Sequence, residues 1–551
     1  HGNLPVVLFG SLPGTDEPRA AVLSLSVAEP GTDSGLKTTD GHEISLFKEG
    51  NLIVGRVDNA NGTANPGGAI AFAVSVDQTG HISTAQYLSL QHPLAGNGSA
   101  GSYDEPVNLS GKINAVVTVT DFDGDTVSQS LAIGTKIVFD DDGPKVLSGH
   151  AAPVTIDEDD IASLLSQGTS PYDGSGDGSG TEFPLGAAIA SGSLNGLVDF
   201  GADGPAAGGG FGFTGTAAAD LTAIGLSSKG VELSWAIQGN TLVGFVDSNH
   251  NGAYNPFGDR TVMTVTLNAS SGAFVVRQFD QLDHVTPPTG TSDQNTALQT
   301  HLGSGSVAGI DLGSVFQAKD GDGDTVTLTG KATVTVVDDV PQVFITATGV
   351  SVVHDETAGN QNDDTSSASV AHQFDSLGLG PASLGYAHGN LPVVLFGSLP
   401  GTDEPRAAVL SLAVAEPGTD SGLKTTDGHE ISLFEEGNLI VGRVDNANGT
   451  ANPGGAIAFA VSVDQTGHIS TAQYLSLQHP LAGNGSGGSY DEPVNLSGKI
   501  NAVVTVTDFD GDTVSQSLAI GAKIVFDDDG PKVTAVAATG VTVALDETAT
   551  T

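Results

Sequence analysis

The sequence predicts an all-β protein made of tandem Ig-like β-sandwich domains arranged end to end in an elongated array. Three observations predict it. HGNLPVVLFG at 1–10 returns at 388–397, and residues 1–146 and 388–533 differ only at Ser26/Ala413, Lys48/Glu435, Ala100/Gly487 and Thr135/Ala522. Apolar and polar residues alternate with period two through several segments, as in a strand with one buried face. Those segments are bounded by Gly, Asp, Asn and Pro, and the 76 glycines have no collagen-like period but suit turns and bulges.

The repeats are separated by a recurring junction phrase. It reads FDDDGPKV at 139–146, VDDVPQV at 337–343 and FDDDGPKV at 526–533. An acidic phrase follows each one: TIDEDD at 155–160, VVHDETA at 352–358 and VALDETA at 543–549. The junction prolines Pro144, Pro341 and Pro531 set a spacing near 190 residues, the upper range of one all-β domain. The chain is expected to divide into 1–145, a repeat without its N-terminal portion; 146–342, a diverged repeat; 343–532, a repeat nearly identical to the first; and 533–551, the start of another. Both ends read as sections through a longer array, with disturbed pairing expected at the edge of the first repeat.

The strands are assigned from the alternation. Ile70, Phe72, Val74 and Val76 share one face, as do Met263, Val265 and Leu267 at the matching place in the middle repeat. Leu131, Ile133, Ile137 and Phe139 read as one strand entering the first junction, and Val326, Leu328, Ala332, Val334 and Val336 as its counterpart. One or two helical turns are expected in DEDDIASLLSQG, 157–168, from the acids at its start and Gly168 at its end. Segments 202–215 and 285–305 read as surface loops. Trp235, in VELSWAI, reads as a core residue in preference to a sugar platform.

Composition narrows the function. With 64 acidic and 18 basic residues, the net charge of -46 repels nucleic acid and anionic membranes and attracts cations. The 38% apolar content, falling in spaced runs, opposes polyacidic disorder. The absence of cysteine excludes disulfides and thiolate metal sites. No apolar run is long enough for a membrane-spanning helix. Histidines are dispersed, and His42–Glu43 lacks an HExxH pattern. Two carboxylates in a cleft could serve a glycosidase, but acids recurring at turns and junctions suit a scaffold, so no enzyme is expected.

The acids themselves form three kinds of candidate metal site. The DxDGD phrase supplies Asp121, Asp123 and Asp125; Asp320, Asp322 and Asp324; and Asp508, Asp510 and Asp512. Glycine lets the backbone curl so that several hard oxygens face one point, which suits Ca2+ with its six to eight ligands. A solvated Asp/Gly turn is the alternative. The junctions group Asp140, Asp141 and Asp142 with Asp157, Glu158 and Asp159; Asp338 and Asp339 with Asp355 and Glu356; and Asp527, Asp528 and Asp529 with Asp546 and Glu547. They read either as interdomain calcium sites that freeze a hinge or as flexible acidic linkers. In the third kind, Asp247, Asn249 and Asn251 alternate like the first half of an EF-hand loop. The twelfth place is Gly258 and no helices flank it, so an Asx-rich turn is the favoured reading.

Through DFDGDTV with FDDDGP, GDGDTV with VDDVP, and the following DETA or DEDD phrases, the chain resembles the giant adhesins exported by bacterial type I secretion (RTX adhesins), with units like their T1SS-143 and VCBS-type repeats. The resemblance implies calcium at the DxDGD and junction acids. It also implies an extracellular, secreted or cell-surface stalk supporting attachment and biofilm formation. The partners it implies are neighbouring repeats of the same chain, and a host or matrix surface reached through modules elsewhere. Neither nucleic acid nor membrane insertion is implied. The second junction departs from the pattern, with two aspartates where the others have three. A carbohydrate-binding or other ligand-binding module in the central domain and a surface-layer or sheath protein are the competing functions.

Overall fold

A computed structural model describes residues 2–10, 15, 18–96, 103, 105–161, 187–288, 295–357, 359–399, 402–403, 407–481, 492–531, 533, 535–537 and 539–542. The fold is all-β, a series of Ig-like sandwiches whose sheets are mostly antiparallel. The chain forms two compact units. One comprises His1–Leu164, Ser170–Val285 and Gln294–Asp339, and the other Leu165–Thr169, Thr286–Asp293 and Val340–Thr551.

The first unit holds two cores. In the first repeat, a five-stranded sheet runs in the order Thr32–Lys37, Glu43–Glu49, Leu52–Val57, Ile70–Val76, Ile82–Gln86. A second sheet contains Pro18–Ser26, Asn114–Asp121 and Thr126–Ala132. Phe72, Val74, Leu23, Leu25, Leu46 and Ile53 lie in one buried cluster, because period-two alternation delivers one side of each strand to it. The middle repeat has the same plan, with the sheet Ala188–Ser193, Ala273–Gln278, Arg260–Leu267, Thr241–Val246, Ser234–Gln238. Met263, Val265, Leu267 and Trp235 are in its core.

The second unit contains the third repeat. Its large sheet has seven strands, because Asp364–Thr365 and Gly385–His388 extend it beyond Ile469–Gln473. The added strands change the neighbouring one: all five residues of Ile469–Gln473 are buried, whereas its near-identical counterpart Ile82–Gln86 exposes its last three.

One glycine recurs for a steric reason. The phrase at Gly55, Gly244 and Gly442 sits at a β-bulge in each large sheet. A Cβ on Gly442 would stand 2.6 Å from the Phe459 ring, and one on Gly55 as close to Phe72. Trp235 takes the ring position against Gly244.

Several expectations are corrected. The segment from Leu131 to Phe139 is not one strand. A 3-10 turn at Gly134–Lys136 separates Thr126–Ala132 from Val138–Phe139, and Leu131 is exposed. Its middle-repeat counterpart is likewise split into Thr325–Thr327 and Thr333–Val337. Segment 202–215 contains the strand Phe211–Phe213, held by pairing with Phe316–Lys319, and 285–305 contains Leu298–Thr300. The expected helix at 157–168 is a 3-10 turn at Glu158–Asp160, and 162–168 lies outside the described residues. Short helices at Ala217–Thr222 and Ala368–Ala371 are present where none was read. Among the described residues no helix is long and apolar enough to cross a membrane.

Candidate metal centres at the repeat ends

Two parallel strand pairs organise the acidic residues. Val154–Asp157 runs beside Thr333–Val337, and Val352–Asp355 beside Ile524–Asp527. The acidic phrase that starts a repeat is thereby laid against the junction phrase that ends the same repeat. Glu158, buried, gathers with His284 and Asp338, also buried. Glu356 gathers with His479 and Asp528. Sequence reading grouped Glu158 with the preceding Asp140–Asp142; the structure brings it to Asp338, about 180 residues later.

The two centres hold their glutamates alike and turn their histidine rings opposite ways. Glu158 Oε1 accepts the Leu282 N–H at 2.8 Å and the Gln278 side-chain amide. Glu356 Oε1 accepts the Leu477 N–H at 2.8 Å and Gln473 Nε2 at 2.5 Å. His284 Nδ1 lies 3.1 Å from Asp338 Oδ1 and 3.8 Å from Glu158 Oε2, while its Nε2 faces the Val336 carbonyl at 3.4 Å. His479 Nε2 lies 3.9 Å from Glu356 Oε1, and its Nδ1 faces the Glu492 carbonyl at 2.6 Å. In the first repeat, His92 and Asp141 occupy the equivalent places, 3.8 Å apart. Asn295 donates to Asp338 Oδ2 at 3.1 Å.

The end of the first repeat meets the DxDGD loop of the middle repeat within one compact unit. Asp141, Asp203 and Asp322 each place a carboxylate oxygen within 4.8 Å of the other two, and Asp320, Asp322 and Asp324 do the same. The Gly96 N–H donates to Asp324, and the His92 N–H to Asp322 Oδ2 at 3.4 Å. Tyr103 donates to the Thr325 carbonyl at 2.7 Å, Thr39 to Asp203, and the Ala202 N–H to Asp142 Oδ2 at 3.1 Å. Asp141 Oδ2, Asp320 Oδ2, Asp322 Oδ1, Asp324 Oδ2 and Glu105 Oε2 are buried and accept no hydrogen bond. This all-oxygen, all-acidic set fits a hard cation.

The electrostatics show the strain of assembling these acids. Burial, then the charge of Asp322, pushes Asp141 up to about 8. Burial also raises Asp320, Asp324 and Asp203, and Asp322 adds to each. Asp508 in the third repeat rises for the same reasons, with Asp510 as its charged neighbour, and Asp508, Asp510 and Asp512 are all buried. The first copy is different: Asp123 and Asp125 are exposed, and Asp121 is lowered by a proton shared with the Asp123 carboxyl and by the N–H groups of Asp125 and Gly124. One motif therefore appears in two electrostatic states, buried and solvated.

The remaining candidates separate clearly. Asp247 accepts the Gly252 N–H at 2.7 Å and the Asn251 N–H at 3.2 Å; Asn249 accepts the Asn251 N–H at 3.1 Å, and Asn251 the Ala253 N–H at 2.8 Å. These oxygens serve their own turn, the Asx arrangement. Asp140 and Asp529 are exposed, Asp142 and Asp527 half-buried, and Asp157, Asp339 and Asp355 buried. Asp546, Glu547 and the Asp159 side chain lie outside the described residues. Sequence reasoning missed His92, His284, His479, Glu105 and Asp203. Each of the three histidines stands two residues after a leucine, in Leu90-Gln-His92, Leu282-Asp-His284 and Leu477-Gln-His479, and that recurrence was the available signal.

Comparison with known proteins gives a family and several distant structural matches. Residues 5–134 and 351–521, more than half the chain, match the family described as Domain of unknown function (DUF5801). No curated protein matches the chain. Among solved structures it is similar to a 1.5-MDa bacterial ice-binding adhesin, at 12% identity over 94% of this chain and 100% of that one, with a TM-score of 0.16. It is also similar to a Ca2+-stabilized, ice-binding adhesin of an Antarctic bacterium, at 12% identity over 93% and 100%, TM-score 0.16. Extracellular cadherin domains 3–6 of protocadherin gamma B2 are similar at 12% identity over 93% and 78%, TM-score 0.20.

Proposed function

The chain belongs to the DUF5801 family, and from that premise we propose that it is a calcium-stiffened extender region of a large secreted or cell-surface bacterial adhesin. The repeats would be divided as the junction phrases divide them, at 1–145, 146–342, 343–532 and 533–551. The reading is of a structural, non-enzymatic protein, exported by type I secretion and supporting attachment and biofilm formation through modules elsewhere in the parent molecule.

The observation that supports this reading most is the gathering of Asp141 from one repeat with Asp203 and Asp322 from the next. Acids from two sandwiches gathered around one point repel each other once ionised, and burial with that repulsion holds Asp141 protonated above the usual carboxylate range. A divalent cation reverses the sign of that interaction and ties the sandwiches together. Sites of about 10⁻⁴–10⁻³ M affinity fill outside the cell and empty in the cytosol. Binding only to the folded chain adds stability outside, so export of a loose chain and folding afterwards are compatible. Near-identical repeats then add length without a new binding function.

The test is calcium titration of metal-stripped chain, followed by calorimetry and thermal melting. Saturable binding with a higher melting temperature supports the reading. A melt unchanged by calcium or chelator opposes it.

A further inference from the structure

We propose that the Glu–His–Asp centres closing the middle and third repeats are mixed nitrogen and oxygen sites for a first-row divalent ion of the zinc kind, distinct from the all-oxygen calcium clusters. The inference goes beyond the calcium reading and does not depend on it.

The first support is repetition. Glu158, Gln278, the Leu282 N–H, His284 and Asp338 recur as Glu356, Gln473, the Leu477 N–H, His479 and Asp528, although the middle repeat has diverged around them. One carboxylate oxygen of each glutamate is fixed by two N–H donors, so the group is held in place before any ion arrives.

The second support is the imidazole. Each ring turns one nitrogen to a backbone carbonyl, Val336 for His284 and Glu492 for His479. A proton on that nitrogen leaves the lone pair of the other facing two carboxylates. His284 Nδ1 and His479 Nε2 are those inward nitrogens; both are buried without a hydrogen bond, on side chains only 0% and 2% exposed. Lone pair against carboxylate is repulsive, and a divalent cation makes all three groups ligands. The carbonyl behind the ring is the partner that metal-bound histidines ordinarily have.

Distances at His284 fit the ion. With metal–ligand bonds of about 2.1 Å, the His284 separations of 3.1 and 3.8 Å correspond to angles of about 95° and 130°, on either side of tetrahedral. The His479 centre is more open, with 3.9 Å between His479 and Glu356 corresponding to about 136° on the same bond length, so its ligands must draw together around an ion. Imidazole suits zinc-like ions, whereas calcium takes oxygen ligands.

The experiment uses the full chain without a histidine tag. Zn2+ is titrated by calorimetry in millimolar Ca2+, Co2+ is followed by its visible absorption, and imidazole nitrogens by 15N NMR. The expected result is two tight zinc equivalents that calcium does not displace. His284→Gln and His479→Gln should each remove one equivalent or weaken it by at least about tenfold, and the double variant should lose both. In wild type the inward nitrogen signals should move on zinc addition. Zinc uptake unchanged in the variants, complete displacement by calcium, or doubly protonated rings unmoved by zinc would each overturn the proposal and leave an imidazolium–carboxylate ion pair. The NMR arm needs no variant. Calcium stabilisation of the double variant, measured without zinc, reports separately on the calcium reading.

Discussion

Calcium binding at the first-to-middle junction should release protons at neutral pH, in an amount set by burial. Asp141, pushed up to about 8 by burial and by Asp322, is mostly protonated at pH 7. Calcium ligation needs the carboxylate, so that proton leaves. Asp203, Asp320 and Asp324 are raised in the same way, and Asp508 adds a contribution from the third repeat. Titration calorimetry at pH 7 in buffers of different ionisation enthalpy should give about one to three protons released per chain, falling toward zero above about pH 9. The same shifts govern the metal-stripped protein. Native Asp141 holds its proton to a higher pH than the unfolded chain, whose value is about 3.9. Stability is therefore fully present at low pH and falls as pH rises through about 8, by at most about 1.4 kcal/mol per pH unit for each such group. Buffer-independent heats, or proton uptake, would refute the reasoning.

Asp322→Asn removes the charge that raises Asp141, Asp320, Asp324 and Asp203. Metal-stripped variant should melt above wild type at pH 8 yet bind calcium at the junction at least about tenfold more weakly by calorimetry. Asp123 is exposed, so Asp123→Asn should change metal-free stability by no more than about 0.5 kcal/mol in denaturant titration. Gly442→Ala drives a methyl to within 2.6 Å of the Phe459 ring and should cost about 1–3 kcal/mol. Phe526→Ala empties a site with no exposed surface beside Phe459 and should cost about 3–5 kcal/mol; both are read from the denaturation midpoint of the third repeat.

The strands at Ile70–Val76 and Arg260–Leu267 were legible because alternation is a local pattern, and Phe72, Val74, Met263 and Val265 are buried as it required. The DxDGD acids were legible for the same reason. Their different states were not: Asp123 and Asp322 share a motif, but only the second has Gly96, His92 and Asp141 against its loop. The partner of Glu158 was illegible because a parallel strand pair joins positions about 180 residues apart, and no local spacing encodes that contact. Phe211–Phe213 lay in a glycine-rich stretch whose propensity favours a loop, and pairing with Phe316–Lys319 overrides it.

The most direct measurement uses the absence of cysteine from the chain. Spin labels on cysteines introduced at exposed Lys48 in the first repeat and exposed Ala223 in the middle repeat report their separation by double electron–electron resonance. Calcium should give one narrow distance distribution, and its removal a broad one; Asp322→Asn should be broad in both. Equal widths with and without calcium in the unmodified cluster would contradict calcium as the element that stiffens the junction.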